Sequence, residues 1–169
     1  MPVQRLNHAV LYVRDVARSS AFYRDVLGFR AKMEMPGAVF LQAEGSTNDH
    51  DLGLFQIGAA AGASTAGRST VGLYHLAWEV DTLAELARIR DALLEAGALV
   101  GASDHATTKA LYAQDPDGIE FEVSWLLPAD LITPEVQAQG ATIQPLDLDR
   151  EIERYGASTR GGVGVSIPV

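Results

Sequence analysis

Three side chains stand out as able to do chemistry together: His8, His75 and Glu122. The chain has four histidines (His8, His50, His75 and His105) and no cysteine. Any bound metal must therefore take imidazole nitrogen or carboxylate oxygen. That donor set suits Fe, Mn, Zn, Ni or Co and excludes thiolate sites. Without cysteine there are no disulfides and no thiol nucleophile, which fits a reducing compartment. His8 lies in LNHAVLYV and His75 in LYHLAWEV, each with a leucine two residues before it.

Glu122 follows a turn signal. Asp115-Pro116-Asp117-Gly118 has the residue order of a type I turn, with Asp first, Pro second and Gly closing it. An alternating run comes next: Ile119, Phe121 and Val123 point one way, and Glu120, Glu122 and Ser124 the other. Glu120 is nearer the turn and reads as a rim residue. Taken singly, a half-solvated strand and hydrogen-bonded structural histidines account for all of these residues. Their placement within a repeat is what points to a site.

Residues 3–13 form a strand, apolar on both faces and so expected to be covered on both sides. Asp15 caps a helix that buries Phe22, Tyr23, Val26 and Leu27 and stops at Gly28. Strands at 29–33 and 39–43 flank the Pro36-Gly37 turn, and 51–57 is a further strand. The small, glycine-rich residues 58–70 read as a linker or mobile loop. The pattern then restarts with a strand at 73–80. A helix follows, capped by Asp81 or Thr82 with Glu85 placed to close a capping box. It buries Leu83, Leu86, Ile89 and Leu93, stops at Gly97, and leads into strands near 99–102, 110–114 and 119–125.

The expected fold class is α+β. Two tandem βαβββ modules, 3–58 and 72–126 joined by a linker at 59–71, make one domain over 1–126. They form a cupped mixed β-sheet around a metal cleft, with the helices outside. Residues 127–169 are an extension that wraps the domain or a partner subunit. In it Pro128 and Pro134 discourage regular structure, PLDLDREIERYG suits a short helix with Ile152 inward, and GGVGVSIPV reads as an extended tail.

His8 and His75 fall at mid-strand in equivalent strands of the repeat. Pairing the modules would face both imidazoles into one cleft, which Glu122 can enter. Two histidines and one carboxylate make the facial triad of non-haem Fe(II) oxygenases, with positions left open for substrate and O2. The matching strand of the first half, DLGLFQI, has no carboxylate between Leu52 and Ile57. Gln56 is the only conceivable fourth ligand, so three protein ligands are expected.

Bulk composition narrows the function. With 169 residues, 47% of them hydrophobic, the chain can bury a real core. A net charge of −9 argues against nucleic-acid and anionic-membrane partners. The N-terminus has no long apolar run, so no signal peptide or transmembrane span is expected and a cytoplasmic location is the default.

Three stretches, LNHAVLYVRDVARSSAFYRDVLGF, LYHLAWEV and YAQDPDGIEFEVSW, resemble the vicinal oxygen chelate superfamily over roughly residues 3–125. That superfamily includes glyoxalase I, bleomycin-resistance proteins, fosfomycin-resistance thiol transferases and type I extradiol dioxygenases. The resemblance implies His8, His75 and Glu122 as metal ligands. Two more residues favour the extradiol branch. His50, in DHDLGLF, resembles that branch's acid/base histidine, which also interacts with dioxygen. Tyr112, ten residues before Glu122, resembles its active-site tyrosine. The local motif around His105 is not reproduced, and no catalytic role carries over to it. The implied protein is a homodimer that uses Fe(II), with Mn(II), Ni(II) or Zn(II) as alternatives, to cleave an aromatic diol with O2. Two other readings share the fold: a glyoxalase-like lyase, isomerase or thiol transferase, and a non-catalytic drug-binding protein. Familiar extradiol enzymes often have about twice this length, with an added non-catalytic copy of the domain, and single-domain versions are known in the family.

Overall fold

The computed structural model describes residues 2–66, 69–140 and 142–166. Gly67 and Arg68 of the expected linker, and residues 167–169 of the expected tail, lie outside them. The chain divides into two compact units: residues 1–65 with 115–119, and 66–114 with 120–169. Each contains one strand-helix-three-strand module, so the expected repeat and α+β class are present, with a separate mixed sheet in each unit.

In the first unit β1 (Ala9–Val13) is followed by α1 (Val16–Leu27), β2 (Arg30–Met35), β3 (Ala38–Gln42) and β4 (Leu52–Gln56). The sheet order is β1-β4-β3-β2, with β1 parallel to β4 and the other pairs antiparallel. The Asp15 carboxylate accepts from the Ala17 and Arg18 amides, which would otherwise lack partners at the helix start. Gly28 ends the helix at φ 75°, a conformation that costs a residue with a Cβ. α1 and its flank bury Tyr23, Val26 and Phe29, and Leu11, Val13, Val39, Leu41, Leu52 and Leu54 are buried with them. Each such aliphatic side chain contributes about 1.5–3 kcal/mol by leaving water.

β1 departs from expectation in two ways. It starts at Ala9, so His8 precedes the strand instead of sitting within it. Only the Leu11 and Val13 face is covered, while Val10 and Tyr12 are exposed. An apolar pattern on both faces does not show which of them packs.

The turn at 115–119 belongs to this unit. Gly118 N–H donates to Asp115 O at 2.9 Å, and the Asp115 carboxylate accepts from the Asp117 and Ile119 amides. Tyr23 OH donates to the same carboxylate at 3.2 Å, and Arg14 pairs with Asp117 at 2.9 Å. Burial raises the Asp115 carboxyl above its ordinary range. Burial, then the Asp115 charge, pushes the Tyr23 phenol well above its own.

In the second unit β5 (Leu76–Glu79), α2 (Leu83–Glu95), β6 (Leu99–Asp104), β7 (Thr108–Gln114) and β8 (Glu120–Leu126) repeat the plan. The sheet order is β5-β8-β7-β6-β9, where β9 is the short strand Gln144–Pro145, and β5 runs parallel to β8. α2 buries the four residues its periodicity picks out: Leu83, Leu86, Ile89 and Leu93. Thr82 Oγ1 accepts from Glu85 N–H at 3.2 Å. The reciprocal half of the expected capping box is absent, because the Glu85 carboxylate holds Arg88 at 2.6 Å instead.

The extension is more regular than its prolines suggest. Pro134 opens α3 (Pro134–Gln139), where its missing N–H costs nothing. β9 (Gln144–Pro145) pairs with β6, and α4 (Leu148–Tyr155) follows. α4 turns Leu148 and Glu151 inward, with Ile152 only partly covered. Residues 161–166 form bends and turns that bond to Asp81, Glu79, Leu126 and Ala129, instead of an extended tail.

Candidate functional site

The register of the second unit assembles a polar group on one sheet face. Ala77 of β5 pairs with Glu122 of β8, and Glu122 pairs with Tyr112 of β7. His75 lies two residues before Ala77 and shares its side of the sheet. His75 Nε2 is 3.2 Å from Glu122 Oε2, with both side chains largely covered. The opposite face, carrying Leu111, Ala113, Phe121, Val123 and Trp125, is fully buried.

Tyr112 sits directly across from Glu122, and its ring centroid is 5.9 Å from that of His75. Burial, then the Glu122 charge, raises the Tyr112 phenol above its ordinary value. The hydroxyl is therefore a neutral donor at physiological pH. Its oxygen is 3.0 Å from His105 Nε2. With a proton on that nitrogen, His105 donates to the phenol and leaves the Tyr112 O–H for Glu122.

His105 sits in the β6–β7 turn, next to Ala106 at φ 63°. That unfavourable backbone is held by Asp104 Oδ1, which accepts from Ala106 N–H at 2.8 Å and from Lys109 Nζ at 2.6 Å. Lys109 is buried and also lies 2.9 Å from Glu151 Oε2. The sequence reading missed this ion cluster and the His105–Tyr112 contact. The alternation of β7, which puts Lys109 on the side of Leu111 and Ala113, could have pointed to the first.

The first unit holds the other two named histidines. His8 Nδ1 is 2.7 Å from Asn7 Oδ1. An amide oxygen only accepts, so the proton is on Nδ1 and the lone pair is on Nε2. The His8 ring lies 4.5 Å from that of His50, whose ring meets the Phe40 edge at 4.9 Å. His50 Nδ1 is 3.0 Å from Asp49 Oδ2, and its buried Nε2 has no hydrogen-bond partner. The hydrogen bond from His50 holds the Asp49 carboxyl below its ordinary range. The loop is fixed by Asp51, which accepts from Ser46 Oγ, Asn48 Nδ2 and the Ala43 amide at 2.7–2.8 Å.

The same register in the two units identifies the position at which only one carries a carboxylate. Val10 pairs with Gly53, and Gly53 with Phe40, as Ala77 pairs with Glu122 and Glu122 with Tyr112. Gly53, not Gln56, is thus the counterpart of Glu122, and Phe40 the counterpart of Tyr112. Gln56 is occupied elsewhere: its Oε1 accepts from Val16 N–H at 3.1 Å.

The His75–Glu122 pair suits a metal edge. Two ligand atoms each about 2.1 Å from an ion at right angles lie about 3 Å apart. His75 Nδ1 is buried without a hydrogen-bond partner, so this imidazole is not satisfied by the protein alone. Among the described residues no group of three or more His, Asp or Glu side chains is already gathered for a metal.

Residues 5–123 match the Glyoxalase/Bleomycin resistance protein/Dioxygenase superfamily. The chain belongs to that superfamily. A catechol-2,3-dioxygenase of Bacillus subtilis (strain 168) is 33% identical over 118 residues, which are 70% of this chain and 40% of the relative. A biphenyl-2,3-diol 1,2-dioxygenase 3 of Rhodococcus globerulus is 31% identical over 137 residues, 78% of this chain and 66% of the relative. The superfamily chain thus spans less than two thirds of either. Among solved structures, a glyoxylase/bleomycin resistance protein/dioxygenase domain from Frankia sp. EAN1pec superposes with a TM-score of 0.58 at 20% identity, covering 73% of this chain and 92% of that one. A lactoylglutathione lyase from Agrobacterium tumefaciens gives 0.54 at 23%, covering 73% and 95%. These likenesses establish the superfamily fold. Among the described residues no helix is long and apolar enough to cross a membrane.

Proposed function

We propose that this superfamily member is a metal-dependent dioxygenase that opens a catechol-type ring with O2, beside its two hydroxyl carbons. The metal is held by His75 and Glu122, with His8 as third ligand. The observation that carries this reading is the His75–Glu122 pair at 3.2 Å, with Tyr112 directly across from Glu122. The two dioxygenase relatives support it. Fe(II) is the ion assigned, and two imidazoles with one carboxylate would also take Mn(II), Ni(II) or Zn(II). When bound, the ion supplies Lewis acidity, a template for two adjacent oxygens and redox capacity.

The protein groups divide the remaining work. His8 presents its lone pair on Nε2 because Asn7 holds the Nδ1 proton. Tyr112, neutral at working pH, donates to a substrate oxygen, and His105 fixes the direction of the phenol. His50 takes a hydroxyl proton from the substrate at Nε2 and returns it later. Asp49 on Nδ1 stabilises the imidazolium formed in between. Both atoms of O2 end in the product, so no external reductant is required.

A glyoxalase-like lyase reading is weaker. Such lyases usually add a fourth protein ligand, and here Gly53 occupies the register position while Gln56 caps α1. The test is anaerobic loading with Fe(II), then exposure to air with a panel of catechols. A yellow ring-opened product that requires the metal is expected. Stoichiometric Fe(II) binding without such a product would move the assignment to a lyase or transferase, and no metal binding would favour a binding protein.

A further inference from the structure

Residues 162–166 lie against the sheet face that carries His75 and Glu122. His75, just before β5, shares this face with Ala77 and Glu79 of β5; along β8, Glu122, Ser124 and Leu126 do. Glu79 Oε1 accepts from Val163 N–H at 2.9 Å. Gly162, at φ 89°, approaches so closely that a Cβ there would fall 2.4 Å from the same oxygen. Ser166 Oγ donates to Leu126 O at 2.9 Å and accepts from Gly162 N–H at 2.8 Å. Val165 O accepts from Ala129 N–H at 2.7 Å. Gly161 is equally constrained, since a Cβ would collide with Leu126 O. These are the contacts of a segment built into the unit. Yet Val163 is 88% and Val165 43% exposed, so their apolar side chains remain available.

Glu79 stands four residues beyond His75, and Leu126 four beyond Glu122. At about 3.3 Å per residue the segment is met about 13 Å along the sheet from the two metal ligands. That leaves room for a diol ring and a short substituent pointing this way.

We propose that residues 162–166 form the far wall of the substrate-bearing face and limit the length of the ring substituent. The proposal rests on the dioxygenase reading and deepens it to substrate choice. Val163 and Val165 supply the apolar surface, and Glu79 and Ser166 are the positioning residues that hold it.

The test uses the full-length, Fe(II)-loaded protein and a series of 4-alkylcatechols of increasing chain length. Glu79→Ala combined with Ser166→Ala removes the anchors, and Gly162→Val drives the segment off by collision with Glu79. Release is read by hydrogen exchange at residues 162–166. Expected is faster exchange there with unchanged metal content. For chains beyond the wild-type length limit, kcat/KM should rise about tenfold, the scale on which a pocket resolves one methylene. Faster exchange with the wild-type length dependence defeats this assignment alone. Unchanged exchange in both variants overturns the anchoring. Failure of the wild type to open any catechol defeats the dioxygenase reading, and the wall's role with it.

Discussion

His75 and Glu122 approach to 3.2 Å because of strand register. β5 runs parallel to β8 with Ala77 opposite Glu122, which places the histidine two residues earlier on the same side. In the first unit the same register puts His8 before Val10 and Gly53 where the carboxylate would stand. The repeat therefore supplies two imidazoles and a single acid. That asymmetry is what the proposed three-ligand site requires.

His50 is the group assigned to proton transfer. Its Nδ1 is held by Asp49 and its Nε2 is buried without a hydrogen-bond partner. His50→Ala should lower kcat about 10²–10⁴-fold, the range of a lost acid/base group. Bound Fe(II), measured by elemental analysis, should stay at the wild-type ratio. Full turnover in the variant would remove the assigned role.

Tyr112 is expected to act as a neutral donor. Its pKa is raised by burial and then by the Glu122 charge, so the phenol keeps its proton to higher pH than an ordinary tyrosine. Tyr112→Phe should cost about 100-fold in kcat/KM, as for a lost preorganised hydrogen-bond donor. Because burial and Glu122 favour the neutral phenol, the shape of the pH profile through the neutral range should be the same in variant and wild type. Loss of an alkaline limb in Tyr112→Phe would show that the phenolate is the working form.

Burial of Tyr23, and then its contact with Asp115, makes the fold sensitive to alkali. The folded-state pKa of Tyr23 lies above its unfolded value, so its contribution is complete below about pH 10. Above that, the unfolded chain releases a proton that the folded chain keeps, and stability falls as pH rises towards the folded pKa. Tyr112 and Tyr155 are shifted the same way. Urea unfolding between pH 9 and 11 should show a falling midpoint, with a shallower slope in Tyr23→Phe. An identical slope in that variant would contradict the assignment.

Lys109 joins β6, β7 and α4 through Asp104 and Glu151. Lys109→Met leaves two covered carboxylates without their cation and should cost about 3–5 kcal/mol in chemical denaturation. Adding Glu151→Leu should recover part of this by removing one of the stranded charges. A neutral single substitution would show that the cluster contributes nothing.

Much of this architecture was legible in the chain. The stripe of α2, the Asp15 cap, the Gly28 stop and the Asp115 turn each rest on local chemistry, and each appears in place. What was less legible depended on pairing. The histidines were expected at mid-strand but stand just before β1 and β5, since strand limits follow hydrogen bonding to β4 and β8. Gln56 was expected as the only spare ligand, but its strand position pairs with Val13, and its side chain turns to the start of α1. Lys109 reads as a surface residue by type, and only its tertiary partners Asp104 and Glu151 make its burial tolerable. The Pro134 helix start was legible in principle, as Thr133 precedes the proline in cap position.

The most direct measurement is oxygen consumption after anaerobic Fe(II) reconstitution, with wild type and Glu122→Ala side by side on catechol substrates. Metal-dependent uptake of one O2 per diol cleaved is expected, falling at least about 100-fold in the variant together with its bound iron. Uptake that is equal in the two proteins, or iron bound equally well by Glu122→Ala, would contradict it.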